Sequence, residues 1–183
     1  VPDADDPCPM NPELSCGDDD GLSLRAAGEL SGVRVGATLE PGEIADSNYT
    51  ETLLREFGAF TPENALKMYS IQNIRGEWTF AGADAVLEFA DANDLEVRGH
   101  TLVWAQDQFT PAWVKAITDP AELRAVTENY IVTVMARYKG RIPRWDVVNE
   151  PLTTLGAQPS GSVWHDLLGP DWIADVFHLA HAA

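Results

Sequence analysis

Short apolar runs alternate with helical spacing along most of the chain, and this alternation limits the fold more than any other feature. Val33 to Leu39 reads as a strand, Ala59-Phe60-Thr61 as a brief second one that Pro62 ends, Leu95 to Val103 as a third, and Ile142 to Val148 as a fourth. Leu22, Leu24, Ala26, Ala27 and Leu30 predict a short helix before the first strand, ending near Gly32. Leu53, Leu54 and Phe57 then mark a helix of about two turns, and Ala83, Val86, Leu87, Phe89 and Ala90 mark another. Asp119-Pro120 starts a third, proline taking the first helical position, and Leu123, Val126, Tyr130, Val134 and Tyr138 continue it until Gly140. Asp171 to Ala183 is a last helical stretch, with Trp172, Val176, Phe177 and Leu179 on one side. Strands alternating with helices imply parallel βα units, because helices must cover the faces of a parallel sheet. An open doubly wound sheet and a (β/α)8 barrel both satisfy the pattern. Polar residues gather at the strands' carboxyl ends: Glu63 and Asn64, then His100, then Asn149 and Glu150. That is the face on which barrel enzymes build active sites, so the expected class is α/β, a (β/α)8 TIM barrel, and four βα units make it an incomplete one, about half.

Charge narrows the ligand. Acidic residues outnumber basic ones 29 to 12 over 183 residues, which disfavours nucleic acid and an anionic membrane surface as partners. No apolar run approaches the roughly 18 residues of a membrane helix. Neither a Gly-x-Gly-x-x-Gly after the first strand nor a phosphate-binding Gly-Lys-Ser/Thr loop occurs, so nucleotide binding has no support. Residues 1–20 hold Asp3, Asp5, Asp6, Glu13, Asp18, Asp19 and Asp20 among several prolines, with no basic residue, and read as an acidic leader or linker ahead of a domain over 21–183. Cys8 and Cys16 lie within it. They are read as one small disulfide loop that fits a secreted protein, unpaired thiols being the alternative; two thiols with no nearby histidine do not close a zinc site. The chain opens at Val1 without a charged start and apolar run, so no signal peptide is expected within it.

The most informative segment is Trp145-Asp146-Val147-Val148-Asn149-Glu150-Pro151, an apolar strand ending in an amide and a carboxyl group. A carboxyl group on the rim of a cleft lined by Trp104 and Trp145 is partly desolvated, which favours the protonated form a general acid needs. Asn149 beside it can hydrogen-bond a sugar hydroxyl as charge develops on the ring. Carboxylate, amide and ammonium groups at Glu63, Asn64 and Lys67 suit the paired hydroxyls of a neutral pyranose, and indoles suit its C–H face. The bland alternatives are a helical ion pair between Glu63 and Lys67, a core role for His100, and packing for Trp104. Trp78, Trp113, Trp164 and Trp172 read as packing residues, and His165, His178 and His181 have no motif around them.

These segments together resemble glycoside hydrolase family 10, the endo-1,4-β-xylanases. Thr61-Pro62-Glu63-Asn64-Ala65-Leu66-Lys67 is similar to that family's second-strand motif, Arg98-Gly99-His100-Thr101-Leu102-Val103-Trp104 to its third-strand motif, and Trp145 to Glu150 to its acid/base signature. Phe80-Ala81-Gly82-Ala83-Asp84 and Arg137-Tyr138-Lys139-Gly140 agree as well, and the match runs from about Gly21 to the chain end. The resemblance implies Glu150 as general acid/base and Asn149 as holder of the sugar 2-hydroxyl. It implies that Glu63, Asn64 and Lys67 bind xylose units on the non-reducing side, that His100 contacts the sugar at the cleavage point, and that Trp104 floors that subsite. Asp146 is expected to fix the His100 imidazole. No metal or organic cofactor is needed, and xylan or xylo-oligosaccharides would be the partner of a secreted enzyme.

Two features depart from the family. Ala105 stands where a histidine is common, and residues 105–110 form a connection about two residues longer than usual. Gln106 or Gln108 takes the place of the family's sugar-binding glutamine, and the alternatives stay open. Retaining hydrolysis also needs a nucleophilic carboxylate, in this family a glutamate on the seventh strand, and no Glu follows Glu150. The 183-residue chain is therefore expected to be the N-terminal half of the catalytic barrel, inactive alone, with the C-terminal half of the barrel as its partner. The alternatives are a non-catalytic xylan-binding protein and a β-1,4-glucanase or cellulase of a related barrel family.

Overall fold

The computed structural model describes residues 22–152, 156 and 162–183. The acidic segment and Cys8 and Cys16 lie outside the described residues. Strands β1 (Gly36–Thr38), β2 (Ala59–Thr61), β3 (Glu96–Trp104) and β4 (Arg144–Asn149) form one sheet in sequence order. Every pairing is parallel, which requires a crossover on one side after each strand. The helices are α1 (Leu24–Ser31), α2 (Ser47–Glu56), α3 (Met68–Ile71), α4 (Ala81–Asn93), α5 (Ala112–Lys115), α6 (Pro120–Arg137), α7 (Val163–Leu168) and α8 (Trp172–Ala182), with single 3-10 turns at Pro41–Glu43 and Asp107–Phe109.

Local chemistry sets the helix ends. Asp46 caps α2 by accepting from the Asn48 and Tyr49 N–H groups. Asp119 caps α6 through the Ala121 N–H, with Pro120 at the first helical position. Gly32 ends α1 at φ 71°, a left-handed cap that glycine adopts without cost from a Cβ. Two strands are displaced from the sequence expectation. β1 is paired only over Gly36–Thr38 rather than Val33–Leu39, because among the described residues β2 is its sole neighbour. β4 starts at Arg144 rather than Ile142, because the Ile142 N–H is taken by the Tyr138 carbonyl in the turn that ends α6.

The core lies between the sheet and its helices. Phe60 and Val97 come from the strands, Leu53 from α2, Val86 and Leu87 from α4, and Leu123, Ile131 and Val134 from α6; all are buried. Trp164 and Trp172 are buried where α7 and α8 meet α6, the Trp164 Nε1–H donating to Thr127 Oγ1 at 3.0 Å. Trp78 stacks on Phe80 and Tyr130, and Trp113 donates to the Gln72 carbonyl. Across the outer layer, Asp84 on α4 accepts from both Arg137 and Tyr138 at the end of α6. The inner face of the sheet carries charge: Glu96 pairs with Arg144 at 2.7 Å, and Arg98 pairs with Asp146. No helix among the described residues is long and apolar enough to cross a membrane.

Candidate active site

The carboxyl ends of the four strands converge on one rim, and the candidate residues follow them directly. β1 leads to Glu40, β2 to Glu63, Asn64 and Lys67, β3 ends on Trp104, and β4 runs into Glu150. Register governs what meets what. His100 pairs with Asp146, but three residues of β3 then match two of β4, so Val103 pairs with Val148 and Trp104 with Asn149. Without this bulge Trp104 would fall opposite Glu150; with it, the indole reaches forward to the carboxyl from one position back. Glu150 itself has φ 48°, a conformation few non-glycine residues adopt, and this turns the chain off the strand end.

A continuous chain of contacts links the ends of β2, β3 and β4 to Glu40, two residues past the end of β1. The Asn64 N–H donates to Glu40 Oε1 at 2.5 Å. Asn64 Oδ1 accepts from the Tyr69 hydroxyl at 2.6 Å and from Lys67 Nζ at 3.2 Å. Lys67 Nζ stands 4.1 Å from the centroid of the Trp104 ring, and Trp104 Nε1–H donates to Glu150 Oε2 at 2.7 Å. Lys67 is only 6% exposed, an unusual state for an ammonium group. Burial pulls its pKa below the ordinary lysine value, although Glu63, Glu40 and Glu150 all act in the opposite direction. Burial likewise pushes the Tyr69 hydroxyl up, and the Glu40 and Glu63 charges add to it.

His100 and Asp146 form a second group within the strands. His100 Nδ1 lies 2.9 Å from Asp146 Oδ2, Arg98 Nε donates to Asp146 Oδ1 at 2.9 Å, and the Thr101 hydroxyl donates to the Asp146 carbonyl at 2.6 Å. Burial raises the Asp146 pKa, but hydrogen bonds from Arg98 and His100 outweigh it and hold the carboxyl below its ordinary range. An ionised Asp146 can only accept, so Nδ1 carries a hydrogen toward it and Nε2 is the ring nitrogen left to face other partners.

The structure thus joins Asn64, Lys67, Trp104 and Glu150, and joins His100 to Asp146. Glu63 stands exposed on the same rim, and Asn149 takes the register position opposite Trp104. Glu63 and Lys67 do not share a helical face, since α3 begins only at Met68. Glu150 is exposed rather than desolvated. Trp145 does not line its side of the cleft: the four strand residues between them set the two about 16 Å apart along the chain, and the Trp145 ring covers Gly99. Glu40, Tyr69, Arg98 and Phe109 were not singled out by sequence. Glu40 and Arg98 were within reach, one just past a strand end and the other two residues before His100 on the same strand. Among the described residues no three side chains of metal-ligating type converge.

Parallel strands, each followed by helix, with polar groups gathered at their carboxyl ends, are about half of a (β/α)8 barrel. Residues 23–183 match the glycosyl hydrolase family 10 model. The chain is 40% identical over 148 residues to endo-1,4-beta-xylanase 2 of Claviceps purpurea, an overlap of 78% of this chain and 45% of that protein. It is 36% identical over 148 residues to endo-1,4-beta-xylanase 3 of Hypocrea jecorina, covering 81% of this chain and 42% of the relative. The crystal structure of native xylanase 10B from Thermotoga maritima superposes with a TM-score of 0.80 at 36% identity, over 87% of this chain and 50% of that one. The chain belongs to glycosyl hydrolase family 10. It spans less than half the length of those two curated relatives.

Proposed function

We propose that the whole protein is a secreted, retaining endo-1,4-β-xylanase in which Glu150 is the general acid/base. The observation that carries this is the Glu150 carboxyl at the end of β4, held by the Trp104 N–H at 2.7 Å beside the Asn64–Lys67 pair, in a member of a family whose relatives are named xylanases. Because Oε2 accepts from the indole, the transferable proton belongs on Oε1, the oxygen left free for the substrate.

In the first step Glu150 gives that proton to the glycosidic oxygen as the C1–O bond breaks, and a second carboxylate bonds to C1. In the second step the Glu150 carboxylate takes a proton from water, which attacks C1 and releases the second carboxylate. That second carboxylate lies outside residues 1–183 in this reading, about 5–5.5 Å from Glu150 as retention requires. The 183-residue chain alone is then inactive, and the C-terminal half of the barrel is its partner. Glu63, Asn64 and Lys67 take xylose hydroxyls on the non-reducing side, Asn149 takes the 2-hydroxyl at the cleavage point, and His100, fixed by Asp146, offers Nε2 to the same sugar. Trp104 belongs to that subsite, its N–H holding Glu150 Oε2.

The test uses the full-length protein on xylan and on carboxymethylcellulose, with the first-formed anomer followed by NMR. Faster turnover of xylan with β-configured initial product is expected. Preference for carboxymethylcellulose would make it a glucanase, α-configured initial product would exclude retention, and binding of xylan without cleavage would leave a carbohydrate-binding protein.

A further inference from the structure

The Trp104 indole carries the hydrogen bond that reaches Glu150, and its direction depends on what holds the ring. Lys67 Nζ stands 4.1 Å from the ring centroid. The Phe109 ring lies within 9° of parallel to the indole, with centroids 3.9 Å apart. An ammonium and a phenyl ring that near to one centroid cannot share a face, because the phenyl ring alone fills the space above it. Lys67 and Phe109 therefore grip opposite faces. The Phe109 turn is itself fixed: its N–H donates to the Gln106 carbonyl at 3.0 Å, and the Thr110 hydroxyl donates to the same carbonyl at 3.1 Å. Lys115 reaches back to Asp107 at 3.4 Å. Tyr69, which also holds Asn64, stands with its ring 6.2 Å from Phe109. Phe109 is 37% exposed, so core burial does not account for its placement.

We propose that Phe109 is a positioning residue for the reaction: by covering the second face of Trp104 it fixes the indole N–H, and through it the Glu150 carboxyl. This rests on the xylanase reading and deepens it. The 105–110 connection is what brings the phenyl ring there, which gives that connection a purpose in this chain. Uncovering one face lets the indole tilt, and a donor displaced by about 1 Å no longer holds the carboxyl in line with the scissile oxygen, an error that can cost up to about a hundredfold in rate.

The experiment measures kcat and KM on xylohexaose for the full-length enzyme, F109A, F109L, F109Y, W104F and the W104F/F109A double variant. F109A and F109L are expected to lose roughly tenfold in kcat with KM changed less than about twofold, because the transition state rather than ground-state binding loses its proton donor. F109Y, which keeps the stacking face, recovers most of the loss. In the W104F background, where no indole N–H remains to be aimed, F109A adds nothing further. Should F109A fold poorly, F109L, which fills much of the volume but offers the indole no flat face to stack on, carries the comparison. Unchanged kcat in F109L, or an equal fall in the W104F background, overturns the proposal. An unmutated enzyme that does not cleave xylohexaose overturns the xylanase reading instead.

Discussion

Replacing Gly99 by alanine tests the packing beneath the candidate site. A Cβ built there falls 2.3 Å from Trp145 Cε3, 2.5 Å from Cδ2 and 2.7 Å from Cζ3. Ordinary contact begins near 3.4 Å, so the indole would have to retreat by about 1 Å, or β3 and β4 would have to part. These are atoms of a rigid ring, so no flexible tip can swing aside. Overpacking of this kind costs about 1–3 kcal/mol, against about 0.5–1 kcal/mol gained from the lower unfolded-state entropy of alanine. The clash wins, and a net loss of roughly 1–2 kcal/mol is expected. Urea unfolding of the full-length protein should show a lower midpoint at unchanged slope, and activity should fall because Asp146, adjacent to Trp145, holds His100. Gly82→Ala is the control, since its Cβ meets Pro41 Cγ at 3.4 Å and nothing nearer, and α4 should gain up to about 1 kcal/mol. A Gly99→Ala protein as stable as the parent would mean that Trp145 does not lie on Gly99.

Asp84 is held below its ordinary pKa by Arg137, against burial and with help from Tyr138, and Asp146 is held low by Arg98 and His100 despite its burial. Both folded values lie below the unfolded ones, so their contribution is complete above the ordinary Asp value of about 3.9 and disappears as pH falls through the lower folded values. Thermal melts should show Asp84→Asn about 1 kcal/mol less stable at pH 7, a figure kept small because both partners are partly exposed, with a shallower acid slope than the parent. Identical acid slopes would show that the Asp84 pair contributes nothing. Lys67→Met removes a buried charge whose desolvation already opposes it, so the melting temperature should hold or rise while KM for xylo-oligosaccharides climbs roughly tenfold or more. An unchanged KM would place Lys67 outside the binding site.

The repeating strand and helix pattern was readable because its signal is local. β2 is found at Ala59–Thr61 and α6 opens at Asp119-Pro120, both where turn chemistry marks them. The short helices at Met68–Ile71, Ala112–Lys115 and Val163–Leu168 were missed because four to six residues leave too little periodicity to detect. At the site, the juxtaposition of His100 and Asp146 was legible because their motifs occupy consecutive strands. The Trp104–Glu150 hydrogen bond depends on a bulge that no composition or spacing reveals. Phe109 on Trp104 and Glu40 beneath Asn64 are contacts between separate elements, invisible until the chain is folded.

The most direct test of the account is the xylan turnover of Glu150→Gln in the full-length protein. The amide keeps the size of the side chain and an acceptor for the Trp104 N–H but has no proton to transfer. Turnover should fall by about 10²–10⁴-fold, with a much smaller loss in kcat/KM, which reports the first step alone, on an aryl xyloside whose leaving group departs without protonation. Xylan cleavage at the parental rate would contradict it.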